Sequence, residues 1–212
     1  MIGIIDYGMG NLFSVSKALE RLEVPYFLSE NKLELLEADA LILPGVGSFK
    51  DAMNILNSTG LADLVKEFAD TGKPLLGICL GMQLLFESSE ENGLTEGLQL
   101  LPGHVRRFPG ATAEGETYKV PHMGWNRLEF LQGSPILKGL AEDYVYFVHS
   151  YFVDTDEKEV VISQSSYDVE VPAVVGRGNV FGMQFHPEKS SSLGMALLRN
   201  FTEVVEERMS VK

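Results

Sequence analysis

Cysteine is nearly absent from this sequence of 212 residues, since Cys79 is the only one. An internal disulfide is therefore excluded, and nothing indicates an oxidising compartment. Long apolar runs are also missing, because none approaches the ~20 residues that a membrane helix needs. The N-terminus has no basic segment followed by an apolar run, so we expect no signal peptide. We predict a cytoplasmic protein with no membrane partner.

Basic residues are few as well. The sequence has 17 Lys and Arg against 30 Asp and Glu, a net charge of −13. Phosphate backbones repel such a surface, so we expect no nucleic-acid partner. The hydrophobic content of 45% is ordinary for a globular protein. We predict a single domain over residues 1–212.

Short apolar runs alternate with helical patterns in the first half of the chain. The runs at 2–5, 26–28, 40–43 and 75–78 indicate strands. Helical patterns follow from Asn11, near 50–56, at 61–69 and from Leu80 to Phe86. This alternation predicts an α/β fold with a mostly parallel, doubly wound sheet and helices on both faces.

Strands and turns dominate the later half of the chain. We predict strands at 119–130, 144–153, 160–163, 173–175 and 180–185, with a hairpin turn at 177–179. A final amphipathic helix is expected from about Ser192, which is a candidate N-cap. The sheet should therefore carry an antiparallel extension in this half.

The segment GICLG at 77–81 follows a predicted strand and precedes a predicted helix. This context is typical of a nucleophile elbow, with Cys79 in place of serine. Glycine on both sides removes β-carbons that would clash in such a turn. The helix start favours the thiolate, and the Leu80 amide is placed to donate to an oxyanion. The alternative is a small, buried apolar cysteine.

The segment His186-Pro187-Glu188 is the candidate for the base and its orienting group. Pro187 favours an extended His186, and residues two apart in extended chain point to one side. Glu188 can then hold one imidazole nitrogen while the other faces the thiol. The alternative is a turn histidine beside a surface glutamate. The spacing does not fit a zinc helix, so we expect no metal.

A second oxyanion donor is expected near Val46 and Gly47, in the segment PGVG at 44–47 that follows a predicted strand. Its glycines let the backbone turn so that an amide points into the site. The pairs Gly45/Gly47 and Gly8/Gly10 lack the third glycine of a dinucleotide fingerprint. We therefore predict no cofactor.

Together, GICLGMQ at 77–83 and QFHPE at 184–188 resemble the motifs of the class I (triad-type) glutamine amidotransferases. Within this family the chain is similar to the glutaminase subunits of imidazole glycerol phosphate synthases. The segments that carry this likeness are DYGMGNL at 6–12, PGVGSF at 44–49, PHMGWN at 121–126, YFVHSY at 146–151 and HPEKS at 186–190.

The resemblance implies hydrolysis of L-glutamine by a triad of Cys79, His186 and Glu188, through a cysteine thioester. It also implies that the following residues bind glutamine: Gln83, Glu91, His149, Ser150 and Tyr151. A carboxylate suits the α-ammonium group of glutamine. Without the family, Gln83 and Glu91 would be solvated residues on a helix surface, and His149 a hydrogen-bonded core histidine.

The resemblance further implies a heterodimer with a (β/α)8-barrel cyclase subunit of histidine biosynthesis, which would receive the ammonia. The matching interface positions are Asn11, Trp125, Tyr146 and Lys189. Trp125 is the only tryptophan, and it is either an interface anchor or a core aromatic. The family also implies an oxyanion hole near Val46 that is incomplete until the partner and its ligand bind.

Three other functions remain as alternatives. The chain could be the amidotransferase subunit of another synthase, of the anthranilate or pyridoxal phosphate type. A cysteine peptidase or esterase could use the same elbow, although Gln83 and Glu91 suggest a small charged substrate. A regulatory module without catalysis is the third alternative.

Overall fold

The computed structural model describes residues 1–210. Its helices are α1 Leu12–Arg21, α2 Lys32–Glu37, α3 Phe49–Thr59, α4 Leu61–Asp70, α5 Leu80–Leu84 and α6 Ser191–Ser210. Its strands are β1 Ile2–Ile5, β2 Tyr26–Ser29, β3 Ala40–Gly45, β4 Leu75–Cys79, β5 Ser88–Ser89, β6 Thr95–Glu96, β7 His104–Arg107, β8 His122–Arg127, β9 Glu129–Phe130, β10 Tyr144–His149, β11 Tyr151–Asp154, β12 Val161–Tyr167, β13 Val169–Arg177 and β14 Val180–Met183.

The central sheet has eight strands in the order β2-β1-β3-β4-β14-β13-β12-β9. Its strands pair in parallel from β2 to β14 and antiparallel from β14 to β9. The predicted parallel sheet with an antiparallel extension in the later half is therefore confirmed. The predicted hairpin between the last two strands is also confirmed, with Gly178 and Asn179 forming its turn.

The sheet separates two hydrophobic cores because successive side chains of a strand point to opposite faces. On β3, Leu41 and Leu43 belong to the core that α3, α4 and α5 cover. Ala40 and Ile42 belong to the core that α1 and α6 cover. Strands buried on both faces read as continuous apolar runs, which is why the sequence pattern identified them. Helices on both faces are thus confirmed.

Two small sheets lie outside the central one. The first pairs β8 with β10, and the second has the order β11-β7-β5-β6. The predicted strand at 144–153 is therefore wrong as a single element, because Ser150 separates β10 from β11, which belong to different sheets. The predicted strand at 119–130 is likewise divided, since β8 and β9 belong to different sheets.

Two predicted helix limits are wrong. Helix α5 ends at Leu84, before Leu85 and Phe86, whose buried side chains imitate a longer helical pattern. Helix α6 begins at Ser191, so Ser192 lies within it instead of capping it. The short helix α2 and strands β5 to β7 were not predicted, because such brief elements give almost no periodic signal. Within residues 1–210, no helix combines the length and apolar character that crossing a bilayer requires.

Candidate active site

Cys79 lies at the junction of β4 and α5 and has φ 55° and ψ −114°. A positive φ is uncommon outside glycine and marks a strained turn. The flanking glycines are necessary here, because a β-carbon on Gly77 would lie 2.5 Å from the Gly81 oxygen and one on Gly81 would lie 1.8 Å from the Leu43 oxygen. The predicted elbow conformation is therefore present, and the turn holds Cys79 at the carboxyl end of the parallel sheet.

Leu80 is the first residue of α5, where an amide hydrogen has no partner within the helix. Val46 and Gly47 come directly after β3, whose last residue Gly45 is in register with Cys79. Gly47 has φ +100°, a conformation that glycine tolerates. The proximity of these two segments follows from the neighbouring positions of β3 and β4 in the sheet.

His186 and Glu188 follow β14, the other neighbour of β4. The His186 Nδ1 lies 2.9 Å from the Glu188 Oε1, and both side chains are nearly inaccessible to solvent. This arrangement excludes the surface glutamate that the sequence left open. Because Nδ1 faces Glu188, Nε2 is left for the Cys79 thiol, which lines the same cavity as His186.

The charge state of His186 depends on these two partners. Burial lowers its pKa, but the neighbouring Cys79 and the hydrogen-bonded Glu188 outweigh burial and raise the pKa to about 10. These two neighbours therefore favour the protonated imidazole. A protonated imidazole beside a cysteine is the arrangement that supports a thiolate nucleophile and a general acid.

A cavity of about 360 Å³ opens beside Cys79 and His186. This size suits a small molecule. Every predicted oxyanion and glutamine-binding residue lines it: Val46, Gly47, Leu80, Gln83, Glu91, His149, Ser150 and Tyr151. Glu188 lies behind His186 and is the one triad member outside the lining.

Gln83 is on α5 but is buried, and Glu91 lies outside any helix, so neither is the solvated helix residue of the alternative prediction. The Gln83 Nε2 donates to the Tyr151 oxygen and to the Gln184 Oε1, each at 3.0 Å. Its two hydrogens are thereby used, and only its carbonyl oxygen remains free for a ligand.

The Glu91 Oε2 accepts a hydrogen bond of 2.9 Å from the amide of Phe49, the first residue of α3. A carboxylate is favourable at a helix N-terminus because it compensates the helix dipole. The hydrogen bond fixes the side chain at the edge of the cavity. The second carboxylate oxygen is not used in that bond.

Sequence reasoning assigned no role to Tyr7, Gln184, His122 or Asn126, although all four lie in segments that carried the family likeness. The Tyr7 hydroxyl donates to the Pro44 oxygen at 2.8 Å and so holds the segment before Val46. Burial, with the nearby Cys79, raises the pKa of Tyr7, which keeps its hydroxyl protonated. The positions of these four side chains around the active site depend on the tertiary structure.

The predicted interface residues lie in several settings. Trp125 is 53% exposed and packs edge to face against Tyr146, with ring centroids 5.9 Å apart. It is therefore not a core aromatic. Lys189 is exposed, whereas Asn11 caps α1 by accepting a hydrogen bond from the Ser14 amide. Asn11 thus has a structural role whatever else it contacts.

Among residues 1–210, no group of three or more His, Cys, Asp or Glu side chains is arranged to hold a metal ion.

The sequence model of the family described as "Glutamine amidotransferase class-I" matches residues 3–205. A protein of Geobacillus sp. (strain WCH70), named imidazole glycerol phosphate synthase subunit HisH, is 64% identical over 211 residues, covering 100% of both chains. The protein of that name from Bacillus subtilis (strain 168) is 58% identical over 208 residues, covering 98% of each chain.

Solved structures share the fold at lower identity. The crystal structure of a glutamine amidotransferase superposes with a TM-score of 0.74 at 23% identity, covering 97% of this chain and 98% of that one. The glutaminase domain of Trypanosoma brucei CTPS, with bound acivicin, has a TM-score of 0.64 at 17% identity and covers 95% of this chain and 93% of that one. At these identities the likeness concerns the fold alone.

Proposed function

The chain belongs to the class I glutamine amidotransferase family, and from this premise we propose that it hydrolyses L-glutamine as the glutaminase subunit of an imidazole glycerol phosphate synthase. The observation that carries the proposal is the strained Cys79 in a cavity that also contains His186, Gln83 and Glu91, with His186 held by Glu188. The names of relatives at 57–65% identity favour this synthase over the anthranilate and pyridoxal phosphate types.

In the proposed reaction, the Cys79 thiolate attacks the carboxamide carbon of glutamine. The tetrahedral intermediate collapses as the carbon–nitrogen bond breaks, and His186 gives its proton to the departing nitrogen, which leaves as ammonia. Water then attacks the thioester, with His186 accepting a proton from it, and glutamate is released. Glu188 orients the imidazole and stabilises its charged form.

The amides at Leu80 and at Val46 or Gly47 are the proposed donors to the oxyanion. Because the first follows β4 and the second follows β3, the hole is assembled from two chain segments. One missing donor costs about 100- to 1,000-fold in rate. A turn that completes the hole only when the partner is bound would thus restrict glutamine hydrolysis to the assembled synthase.

We assign the amino-acid end of glutamine to Gln83, Glu91 and the segment from His149 to Tyr151. The carbonyl oxygen of Gln83 and the free carboxylate oxygen of Glu91 both accept hydrogen bonds. Two acceptors suit the α-ammonium group, which has only donors. The requirement for this group would exclude the large acyl substrates of a peptidase or esterase.

The partner subunit is proposed to bind the outer face of the β8–β10 sheet. The exposed side chains of this face are the apolar or aromatic Met123, Trp125, Tyr144 and Val148 and, opposite Tyr144, Arg127, with half-buried Tyr146 among them. Val148 also lines the cavity, so the apolar face continues to the mouth of the active site. We propose a (β/α)8-barrel cyclase as the occupant. As enzymes of histidine biosynthesis, this chain and the cyclase subunit would act in the cytoplasm.

The test is to measure glutamine hydrolysis by the purified chain, alone and with the cyclase subunit and its nucleotide ligand. We expect little hydrolysis by the chain alone and stimulation of at least about 100-fold in the liganded complex. Equal turnover in both would contradict the gated oxyanion hole. If Cys79 reacts with a glutamine analogue but the cyclase has no effect, the glutaminase activity stands and the assigned partner is wrong.

A further inference from the structure

His149, which lines the cavity, forms a hydrogen-bonded chain with a second buried histidine, His122, to which the proposed reaction gives no role. His122 and His149 are paired on β8 and β10. The Nδ1 of His122 lies 3.0 Å from the Nε2 of His149. The Nδ1 of His149 lies 2.7 Å from the Tyr151 oxygen, and the Nε2 of His122 lies 3.2 Å from the Asn126 Nδ2.

Which nitrogen donates in each of these hydrogen bonds follows from the groups at the two ends, Tyr151 and Asn126. The Tyr151 oxygen can only accept, so His149 carries its proton on Nδ1 and accepts at Nε2. His122 must then donate from Nδ1 and accept at Nε2. Asn126 supplies the matching donor, because its Nδ2 also donates to the Ser166 oxygen at 2.8 Å while its Oδ1 accepts from the Arg127 amide. One tautomer of each ring satisfies every contact.

Both rings are uncharged at neutral pH. Burial lowers the pKa of His122 to about 4 and that of His149 to about 3, the latter against the opposing effect of its bond to Tyr151. The protonated His186 near His149 acts in the same direction. The ring of His122 is stacked between Phe147 and Tyr167, at centroid distances of 4.5 and 4.1 Å. The chain is therefore held in place by packing as well as by hydrogen bonds.

The chain ends on the carbonyl group that orients Gln83. The Tyr151 oxygen accepts from both the His149 Nδ1 and the Gln83 Nε2. It lies just after Ser150, where the backbone passes from one small sheet to the other. The Tyr151 oxygen thus accepts hydrogen bonds from two side chains at this junction. The bond from His149 therefore contributes to the orientation of the Tyr151 carbonyl group.

We propose that His122 and Asn126 are positioning residues for glutamine binding: they hold His149 as its Nδ1–H tautomer, which fixes the Tyr151 carbonyl and thereby turns the Gln83 oxygen towards the substrate. Neither His122 nor Asn126 lines the cavity. This inference rests on the proposed glutaminase function, and it assigns the PHMGWN segment a role inside the molecule in addition to the outer face that carries Trp125.

The experiment separates binding from chemistry by labelling Cys79 with a glutamine-analogue electrophile over a range of concentrations. His122→Phe keeps a ring between Phe147 and Tyr167 but removes both nitrogens. We expect its half-saturating concentration to rise about five- to tenfold, the effect of losing one net hydrogen bond, with the maximal labelling rate changed less than twofold. His122→Asn places an amide donor near the lost Nδ1 and should restore binding to within about twofold.

Two controls accompany these variants. Tyr167→Phe alters the ring that stacks on His122 but leaves the His122–His149 hydrogen bonds intact, since the Tyr167 hydroxyl donates to the Lys119 oxygen. Its half-saturating concentration should equal that of the wild type. Labelling by iodoacetamide, which lacks the amino-acid group, should be equal in all variants and so report an unchanged thiol.

Nitrogen-15 NMR of the imidazoles gives a readout that requires no activity. We expect both His122 and His149 as neutral Nδ1–H tautomers from pH 5 to 8. An Nε2–H tautomer for either ring, or unchanged half-saturation in His122→Phe, would overturn the proposal. A wild-type chain that the glutamine analogue does not label would instead refute the glutaminase function, whatever the tautomers.

Discussion

At the scale of single residues, Cys79 combines a strained backbone with contacts that determine its chemistry. The backbone of Cys79 has a φ of 55°, and the turn packs the start of α5 closely against β3 and β4. Gly77 and Gly81 permit this packing because they have no β-carbon. The same turn places the thiol in one cavity with His186, whose pKa is raised by Cys79 and Glu188 against the effect of burial. Strain at this one residue is therefore tied to reactivity.

Replacing the nucleophile should separate the source of ammonia from its use. In Cys79→Ala, glutamine-dependent synthesis by the complex should fall by at least about 10,000-fold, because the covalent route is lost. Synthesis from added ammonium salt should be retained within about twofold, since we assign the acceptor reaction to the proposed partner. Product formation from each nitrogen source is the measurement. A parallel loss of both activities would mean that Cys79 is structural.

The buried histidine chain should also make stability dependent on pH. The folded pKa of His122, about 4, lies below the ordinary value of 6.5, so between these values the unfolded chain binds a proton that the folded chain excludes. Its contribution is present above pH 6.5 and falls by up to about 1.4 kcal/mol per pH unit as the pH drops towards 4.

Urea unfolding at pH 6.5 and pH 5.0 measures this dependence. The decrease in unfolding free energy between the two values should be smaller in His122→Phe than in the wild type. Because both proteins share all carboxylates, their titration cancels in the comparison. An equal decrease in both would show that His122 is charged in the folded protein at pH 5.0.

At the scale of elements, the site is assembled where parallel strands end. Cys79 is the last residue of β4, and Val46 and His186 follow β3 and β14, the two neighbours of β4 in the sheet. Ligands bind at this edge of open α/β sheets, where the connections separate. Continuous apolar runs in the sequence predicted these strands well, because both faces of each strand are buried. They did not predict the break at Ser150, which depends on pairing with two different sheets.

The elbow gives a test at this scale. In Gly81→Ala, the added β-carbon would lie 1.8 Å from the Leu43 oxygen, so α5 must move away from β3. We expect about 2–4 kcal/mol of destabilisation and loss of labelling at Cys79. Urea unfolding and the labelling rate measure the two effects.

Gly133→Ala is the matched control, since nothing lies within 4 Å of a β-carbon at that position. Its stability should stay within about 0.5 kcal/mol of the wild type. A Gly81→Ala protein of unchanged stability and labelling would mean that the elbow tolerates a wider separation of β3 and α5.

At the scale of the whole molecule, the acidic chain leaves an apolar face uncovered beside its active site. Trp125 and Tyr146 form an edge-to-face pair at its centre, and Val148 connects it to the cavity. Aromatic residues in such a position are typical anchors of protein interfaces. A partner bound there would close the cavity mouth and receive ammonia without passage through bulk water.

Truncating the anchor should weaken assembly without changing the fold. For Trp125→Ala, we expect the Kd for the cyclase subunit to rise at least about 30-fold, the effect of losing an interface hot spot. Leu33→Ala removes another exposed apolar side chain that is not on this face and should leave the Kd unchanged. Calorimetric titration with the cyclase measures both. Equal affinities would move the docking surface elsewhere.

The sequence alone determined what depends on neighbouring residues. Apolar runs identified the buried strands, glycines around Cys79 identified a strained turn, and the HPE segment paired His186 with Glu188, because each signal lies within a few residues. Cavity residues far apart in the chain were named through family likeness. Only the tertiary structure decided that Gln83 is buried with its nitrogen engaged, that Trp125 is exposed, and that His122 supports His149. These properties depend on strand order and on contacts between distant segments, which local periodicity does not encode.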